Sequence, residues 1–232
     1  MPALQPAPSL LIWGSRQMSS LTIKICGFTT PEAVEAVNDI EADMAGLNFF
    51  EKSPRYVTPQ RACDLASALK PSVQSVALVV DAHDDELDTI VAGASPNIIQ
   101  VHGRETPERV AQIKARFGLL VIKVLAVKGA EDIEKARLYE DAADWLLFDA
   151  KPPKSLANAL PGGNGLVFDW RLLTGFTSRC PWMLSGGLNA DNVAEAIRIS
   201  GAKAIDVASG VESAPGVKDP QRIKDFAAAA RA

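Results

Sequence analysis

The sequence predicts an α/β fold, a single-domain (β/α)8 TIM barrel, on three observations. Short apolar runs alternate with segments of helical periodicity through eight strand–helix pairs. Helical crossovers between consecutive runs impose parallel pairing, and eight parallel strands close on themselves. An open doubly wound sheet would have about five or six strands and a Gly-rich first turn, and no G-x-G-x-x-G follows the first run here. The 232 residues suit one such barrel, and the 47% hydrophobic content is enough to fill it.

The first strand is expected over residues 21–26, where Leu-Thr-Ile-Lys-Ile-Cys alternates. A helix over 30–41 follows, with Thr30 as N-cap and Pro31 at the first helical position, where a missing N–H costs nothing. The second strand spans 43–49, and Thr58-Pro59 opens a helix to residue 70. The third pair covers 73–80 and 84–93, the fourth 97–101 and 106–117, the latter opened by Thr106-Pro107. The fifth covers 119–127 and 130–140. The sixth strand spans 145–149, with its helix starting over 169–174. After the seventh strand at 182–184, Asn189 is placed as N-cap of a helix with Leu188, Val193, Ala196 and Ile197 on one face. The eighth strand is 204–208, and a helix over 219–231 closes the chain. Residues 1–20 stand apart: Pro2, Pro6 and Pro8 break any periodicity, residues 10–13 are too short for a signal-peptide core, and Met18 offers a second start. This extension is expected to be loosely held, leaving 21–232 as the catalytic domain.

Composition removes several classes of partner. A net charge of −4 and a pI near 5.3 leave no basic face for nucleic acid. Three widely spaced cysteines (Cys26, Cys63 and Cys180) do not form a disulfide framework and point to a reducing, cytoplasmic compartment. No apolar run reaches the length of a membrane span.

The stretch 181–212 carries the clearest chemical signal. One apolar run ends in Ser185-Gly186-Gly187, and the next ends in Ser209-Gly210, which can open a short helix. Glycines without a Cβ admit an oxyanion close to backbone N–H groups, and a helix N-terminus favours negative charge. Two such loops after consecutive late strands of a barrel form a phosphate grip.

Functional residues of a barrel belong at the C-terminal ends of its strands. There the chain places Lys24, Cys26, Asn48, Asp81, Gln100, His102, Lys123, Asp149, Ser185 and Asp206, more polar groups than a buried strand carries without a site to satisfy them. Lys24 and Cys26 share one face, as do Gln100 and His102. Lys24 could therefore supply the charge that partly ionises the Cys26 thiol; a small core residue is the other reading, and it fits Cys63 and Cys180. Asp149 ends a buried strand, where desolvation favours the protonated form a general acid needs; a cap or an ion pair to Lys151 is the alternative. Arg55 could hold a carboxylate in bidentate fashion or lie solvated at the surface. Asp81 reads as a cap or loop residue, and Lys123 as either a site residue or half of a structural ion pair. The long Gly-rich loop 151–165 could act as a lid or clamp. A phosphate grip, a thiol, a carboxyl and a cation for a second anionic group suit a phosphosugar isomerase.

Taken together, Lys24-Ile-Cys26-Gly27, Ser53-Pro-Arg55-Tyr56, Gln100-Val-His102-Gly103, Leu147-Phe-Asp149, Gly162-Gly163-Asn-Gly165 with Phe168-Asp-Trp170, Leu184-Ser-Gly186-Gly187-Leu, and Asp206-Val-Ala-Ser209-Gly210-Val-Glu resemble the phosphoribosylanthranilate isomerase family, in family order from about residue 21 to the C-terminus. The resemblance implies a TIM barrel of tryptophan biosynthesis. Its reaction is the Amadori rearrangement of N-(5-phosphoribosyl)anthranilate to the carboxyphenylamino-deoxyribulose phosphate, with no metal or cofactor, in a monomer or homodimer. It implies Cys26 as the base at the sugar C2′, Asp149 as the acid at the furanose ring oxygen, and Arg55 at the anthranilate end. Gly186, Gly187, Ser209 and Gly210 fall at the phosphate site, with Lys24, Gln100, His102 and Asp206 at further substrate-binding positions. Three departures stand out: the N-terminal extension, Asn48 where an apolar residue is expected, and a slightly longer 151–165 loop. Indole-3-glycerol phosphate synthase would need a catalytic Lys and Glu set, and the histidine-pathway isomerase an Asp where Cys26 stands. A non-catalytic phosphoribosyl-binding barrel would keep the glycines and lose Cys26 or Asp149.

Overall fold

The computed structural model describes residues 21–151, 162–163 and 165–232. The expectations for the extension 1–20, and for most of the Gly-rich loop, lie outside the described residues. Eight parallel strands, β1 (Thr22–Cys26), β2 (Met44–Asn48), β3 (Gln74–Val79), β4 (Ile98–Val101), β5 (Leu120–Val127), β6 (Trp145–Ala150), β7 (Trp182–Leu184) and β8 (Ala204–Val207), form a closed barrel in sequence order. Closure pairs Thr22 with Ala204 and runs in register to Ile25 and Val207.

Around the barrel lie α1 (Pro31–Asp39), α2 (Pro59–Ser67), α3 (Asp84–Ala94), α4 (Pro107–Phe117), α5 (Ala130–Lys135), α6 (Val193–Ser200) and α7 (Pro220–Arg231). The Thr-Pro openings behave as their chemistry requires. The side chains of Thr30, Thr58 and Thr106 accept the N–H of Ala33, Arg61 and Arg109, and proline occupies the position whose N–H would be unsatisfied. Asp219-Pro220 repeats the device at α7, where Asp219 accepts from Gln221 and Arg222.

Period-two alternation sorts the strand residues into two layers. Ile23, Ile25, Leu47, Ile99, Phe148 and Ile205 face outward into the sheet–helix core. Met44, Val76, Ile98, Ile122, Leu147 and Met183 plug the barrel interior. The inward positions nearer the C-terminal ends carry Lys24, Cys26, Asn48, Gln100, Asp149 and Asp206 instead, all buried. The apolar plug is therefore the floor on which a polar cluster stands.

Four local expectations change. Residues 130–140 are helical only through α5 and then tighten into a 3-10 turn, Ala136–Tyr139. The sixth helix is reduced to a 3-10 turn, Trp170–Leu173, where Asp169 accepts the Arg171 N–H. Asn189 makes the bonds of a cap, its Oδ1 accepting from the N–H groups of Asp191 and Asn192 and its carbonyl from Val193, but regular helix begins later than expected, at Val193. An antiparallel hairpin, β9 (Glu212–Ala214) and β10 (Val217–Lys218), stands between β8 and α7 and was not anticipated.

Candidate active site

Two cavities open at the C-terminal end of the barrel. The first, with an empty volume of about 320 Å³, is walled by Gly186 and Gly187 after β7 and by Ala208, Ser209 and Gly210 after β8. Ser209–Val211 forms one 3-10 turn. Gly186 and Gly187 have φ of 89° and 61°, the left-handed region where a side chain is strained. A Cβ on Gly186 would sit 2.7 Å from the Ala150 amide nitrogen, and one on Gly210 would collide with the Leu188 carbonyl. The loop after β8 can thus lie against the loop after β7 only without a side chain at Gly210, and the loop after β7 against the end of β6 only without one at Gly186. Gly210→Ala is expected to displace the turn and lower kcat/KM by about 100-fold. Steady-state kinetics on a variant whose melting temperature shows it folded checks this; wild-type kinetics would refute it.

The second cavity has an empty volume of about 490 Å³. It shares Asp149, Gly163, Ser185, Asp206 and Ala208 with the first and adds Cys26, Asn48, Arg55, Gln100 and His102. Lys24 lies beneath it, fully buried and lining neither cavity. Its Nζ donates to Asp206 Oδ1 at 2.6 Å, and Ser185 Oγ donates to Asp206 Oδ2 at 2.9 Å. Burial pulls Lys24 toward neutrality, but Asp206 and the neighbouring thiol outweigh it and hold the ammonium above its ordinary pKa.

The electrostatics of Cys26 differ from the sequence expectation of a partly ionised thiol. Burial is the largest influence and pushes the thiol up; Lys24 opposes it, but Asp206 takes back part of that charge, and the net pKa is raised. The resting thiol is protonated, with an ammonium beside it to stabilise the thiolate when it forms.

Across the cavity, Asp149 Oδ1 accepts the N–H of Ala150 at 2.8 Å, and Oδ2 lies 3.5 Å from His102 Nε2. The alternative ion pair to Lys151 is not formed: Lys151 Nζ points instead at Asp132, 3.9 Å away. Gly162 packs over this pair, for a Cβ there would meet His102 Cε1 at 2.5 Å and Asp149 Oδ2 at 2.7 Å. Gln100 Oε1 is buried without a hydrogen-bond partner among the described residues. Asn48 turns inward, donating to Ser53 Oγ at 3.2 Å and accepting the Phe50 N–H at 2.8 Å, so it organises the loop that delivers Arg55. Arg55 is not a surface residue: it is 5% exposed, and its Nε and Nη2 grip Glu212 at 2.7 and 2.8 Å.

A model of the N-(5'phosphoribosyl)anthranilate (PRA) isomerase family matches residues 23–229. The chain belongs to the phosphoribosylanthranilate isomerase family. The isomerase of Parvibaculum lavamentivorans is 54% identical over 212 residues, covering 91% of this chain and 99% of that protein. That of Paramagnetospirillum magneticum is 52% identical, covering 90% and 96%. The crystal structure of phosphoribosyl anthranilate isomerase from Thermotoga maritima superposes with a TM-score of 0.80 at 34% identity, covering 90% of this chain and 98% of that one. A further isomerase structure, in complex with reduced 1-(o-carboxyphenylamino)-1-deoxyribulose 5-phosphate, aligns at 33% identity over 90% of this chain and 98% of its own, with a TM-score of 0.78.

Within this isomerase fold the remaining sequence candidates separate cleanly. Lys123 faces the outer layer and pairs with Glu105 at 2.6 Å, the structural role. Asp81 is a loop residue with φ of 51°, its carboxylate accepting the Arg104 N–H. Cys180 is buried and Cys63 half-buried, and neither lines a described cavity. Sequence reasoning missed Glu105, Glu212 and Lys218, each buried and charged. Only the Ser209-Gly210-Val-Glu motif hinted at Glu212, and no spacing rule ties it to Arg55. Among the described residues no group of His, Cys, Asp and Glu is arranged to hold a metal ion, and no helix is long and apolar enough to cross a membrane.

Proposed function

We propose that this enzyme isomerises N-(5′-phosphoribosyl)anthranilate to 1-(2-carboxyphenylamino)-1-deoxyribulose 5-phosphate, a step of tryptophan biosynthesis, with Cys26 as general base and Asp149 as general acid. The observation that carries the reading is the junction of the two cavities. A glycine-walled recess for an anion meets a larger chamber with a thiol on β1 and a carboxyl on β6, and Arg55 stands in the wall of the larger chamber.

In this reading the phosphate occupies the loops of Gly186, Gly187, Ser209 and Gly210, and the anthranilate carboxylate meets Arg55. Asp149 gives a proton to the furanose ring oxygen as the C1′–O bond breaks, and the aniline nitrogen lone pair forms C1′=N. Cys26, ionised beside Lys24, takes the proton from C2′, and those electrons form C1′=C2′ while neutralising the nitrogen. Loss of the C2′ hydroxyl proton and protonation at C1′ give the ketone. The change is redox-neutral and consists of proton transfers, which side chains perform without a cofactor. Lys24 and Asp206 hold the base end, and Gln100 and His102 line the sugar. The same reading assigns a cytoplasmic monomer or homodimer with no nucleic-acid or membrane partner.

The test is a fluorescence assay following disappearance of enzymatically generated phosphoribosylanthranilate, with the product identified by mass and by chromatography. Turnover to the ketose product is expected. A folded enzyme without turnover would return the assignment to other phosphosugar isomerisations.

A further inference from the structure

The charged groups behind Arg55 form a chain that the reaction scheme does not use. Glu212, the first residue of β9, accepts both Nε and Nη2 of Arg55. Its Oε1 also accepts from Lys218 Nζ at 2.6 Å, and its Oε2 from the Gly216 N–H at 3.2 Å. Lys218, in turn, donates to the carbonyl of Ala208 at 2.9 Å. Ala208 lines both cavities and immediately precedes Ser209 of the phosphate turn. Arg55, Glu212 and Lys218 are all at least nine-tenths buried.

Three physical consequences follow. A guanidinium held by two parallel hydrogen bonds on its Nε edge cannot rotate, so its Nη1 edge has a fixed direction. That edge lies against Gly163, where a Cβ would fall 2.5 Å from Nη1. A single Glu beside the Arg would cancel its charge, and Lys218 is the second cation on that carboxylate; burial draws its ammonium below the ordinary lysine pKa, and the Glu212 carboxylate opposes the shift. Burial pushes the Glu212 carboxyl up, but the Arg55 hydrogen bond and the Lys218 charge outweigh it and keep it below the ordinary range, so the carboxylate is ionised. Finally, the hairpin is bolted to both ends of the site, to Arg55 through Glu212 and to the phosphate turn through Lys218.

We infer that Glu212 is a positioning residue that aims Arg55 and that Lys218 holds Glu212 and offsets its charge, so that the β9–β10 hairpin sets the enzyme's preference for a carboxylate-bearing aromatic amine at a fixed distance from the phosphate. This rests on the placement of the anthranilate carboxylate at Arg55 under the proposed function. The hairpin is thus a specificity element attached to the barrel rather than part of its catalytic floor.

The test compares binding of two inhibitors by calorimetry, the reduced product analogue with its ortho-carboxylate and the same compound lacking it, to wild type, Glu212→Gln, Glu212→Asp and Lys218→Met. Wild type should prefer the carboxylated compound. Glu212→Gln and Lys218→Met should each lose about 10- to 100-fold on that compound and change little on the des-carboxy one. In turnover, KM should rise by a similar factor while kcat stays within a few-fold. Glu212→Asp keeps the charge but cannot span the same distance, and should fall between; it also carries the comparison if Glu212→Gln does not fold. Equal losses on both inhibitors would mean a merely structural hairpin and overturn the inference. So would an unchanged preference in folded variants. A wild type without carboxylate preference would instead remove Arg55 from the anthranilate end, a failure of the underlying reading that the variants are not needed to detect.

Discussion

Cys26→Ser is expected to lower kcat by about 10²- to 10⁴-fold while leaving KM within a few-fold. The substitution keeps size and shape, so substrate binding is preserved. It replaces a thiol that the Lys24 ammonium can help ionise with a hydroxyl, which is far less acidic than a thiol. Because burial outweighs Lys24 and the thiol is raised, wild-type kcat/KM should climb with pH through the alkaline range, with an apparent pKa above the ordinary thiol value of about 8.5. With Cys26 as the proposed base, the active form is the thiolate, present above that pKa. The groups that set it are Lys24 and Lys218, which lower it, and Asp206, which raises it. Asp149→Asn should lose activity by a comparable factor because an amide donates no proton to the ring oxygen, yet it should retain the alkaline rise. A Cys26→Ser enzyme with wild-type kcat moves the base elsewhere. Linkage adds a second readout with the opposite sign. A thiol raised in the folded state contributes stability that is complete below the unfolded thiol's pKa and lost as pH rises through the folded value. Activity and stability should therefore diverge in alkaline buffer.

Lys24→Met should destabilise the fold by about 3–5 kcal/mol. The methionine fits the volume but leaves Asp206 buried, with the Ser185 hydroxyl as its remaining side-chain partner among the described residues. For a domain of this size, that corresponds to a fall in Tm of about 6–20 °C. Removing both charges is much less costly than removing one, so Lys24→Met/Asp206→Asn should recover most of the loss. Chemical denaturation of both single variants and the double variant measures the coupling directly. A single variant within about 1 kcal/mol of wild type, the usual scatter of point substitutions, would show that the pair contributes little to stability.

The barrel was legible because local and global signals agree in it. Thr30-Pro31, Thr58-Pro59 and Thr106-Pro107 announce helices by chemistry that acts within four residues, and tertiary packing had no reason to override them. Asn189 likewise takes the N–H groups two and three residues on, as a cap does, and only the start of regular helix, at Val193, falls later than its position suggests. At the site, strand alternation was enough to place Lys24 with Cys26 and Gln100 with His102, since both pairs are two residues apart. What spacing could not supply was long-range partnership. Asp206, 182 residues from Lys24, determines how much of the ammonium's charge reaches the thiol. Glu212, 157 residues from Arg55, determines whether the guanidinium is solvated or fixed. Partial ionisation of Cys26 is the expectation that changed, and the solvated reading of Arg55 is the alternative the structure sets aside; both depended on a partner from the far end of the chain.

The pairing of β1 with β8 also bears on how the protein comes into being. Of the eight barrel strands, the one that holds Cys26 is synthesised first and the one that holds Asp206 last. Until then Lys24 is a cation without its carboxylate, and a partly made barrel that buried it would bear an uncompensated charge. That penalty discourages a nascent sheet of the first strands from closing on itself or collapsing around β1, a hazard for slow-forming parallel sheets with open edges. The edge of β1 is closed by β8, and the charges around the thiol are complete only once synthesis has reached Lys218.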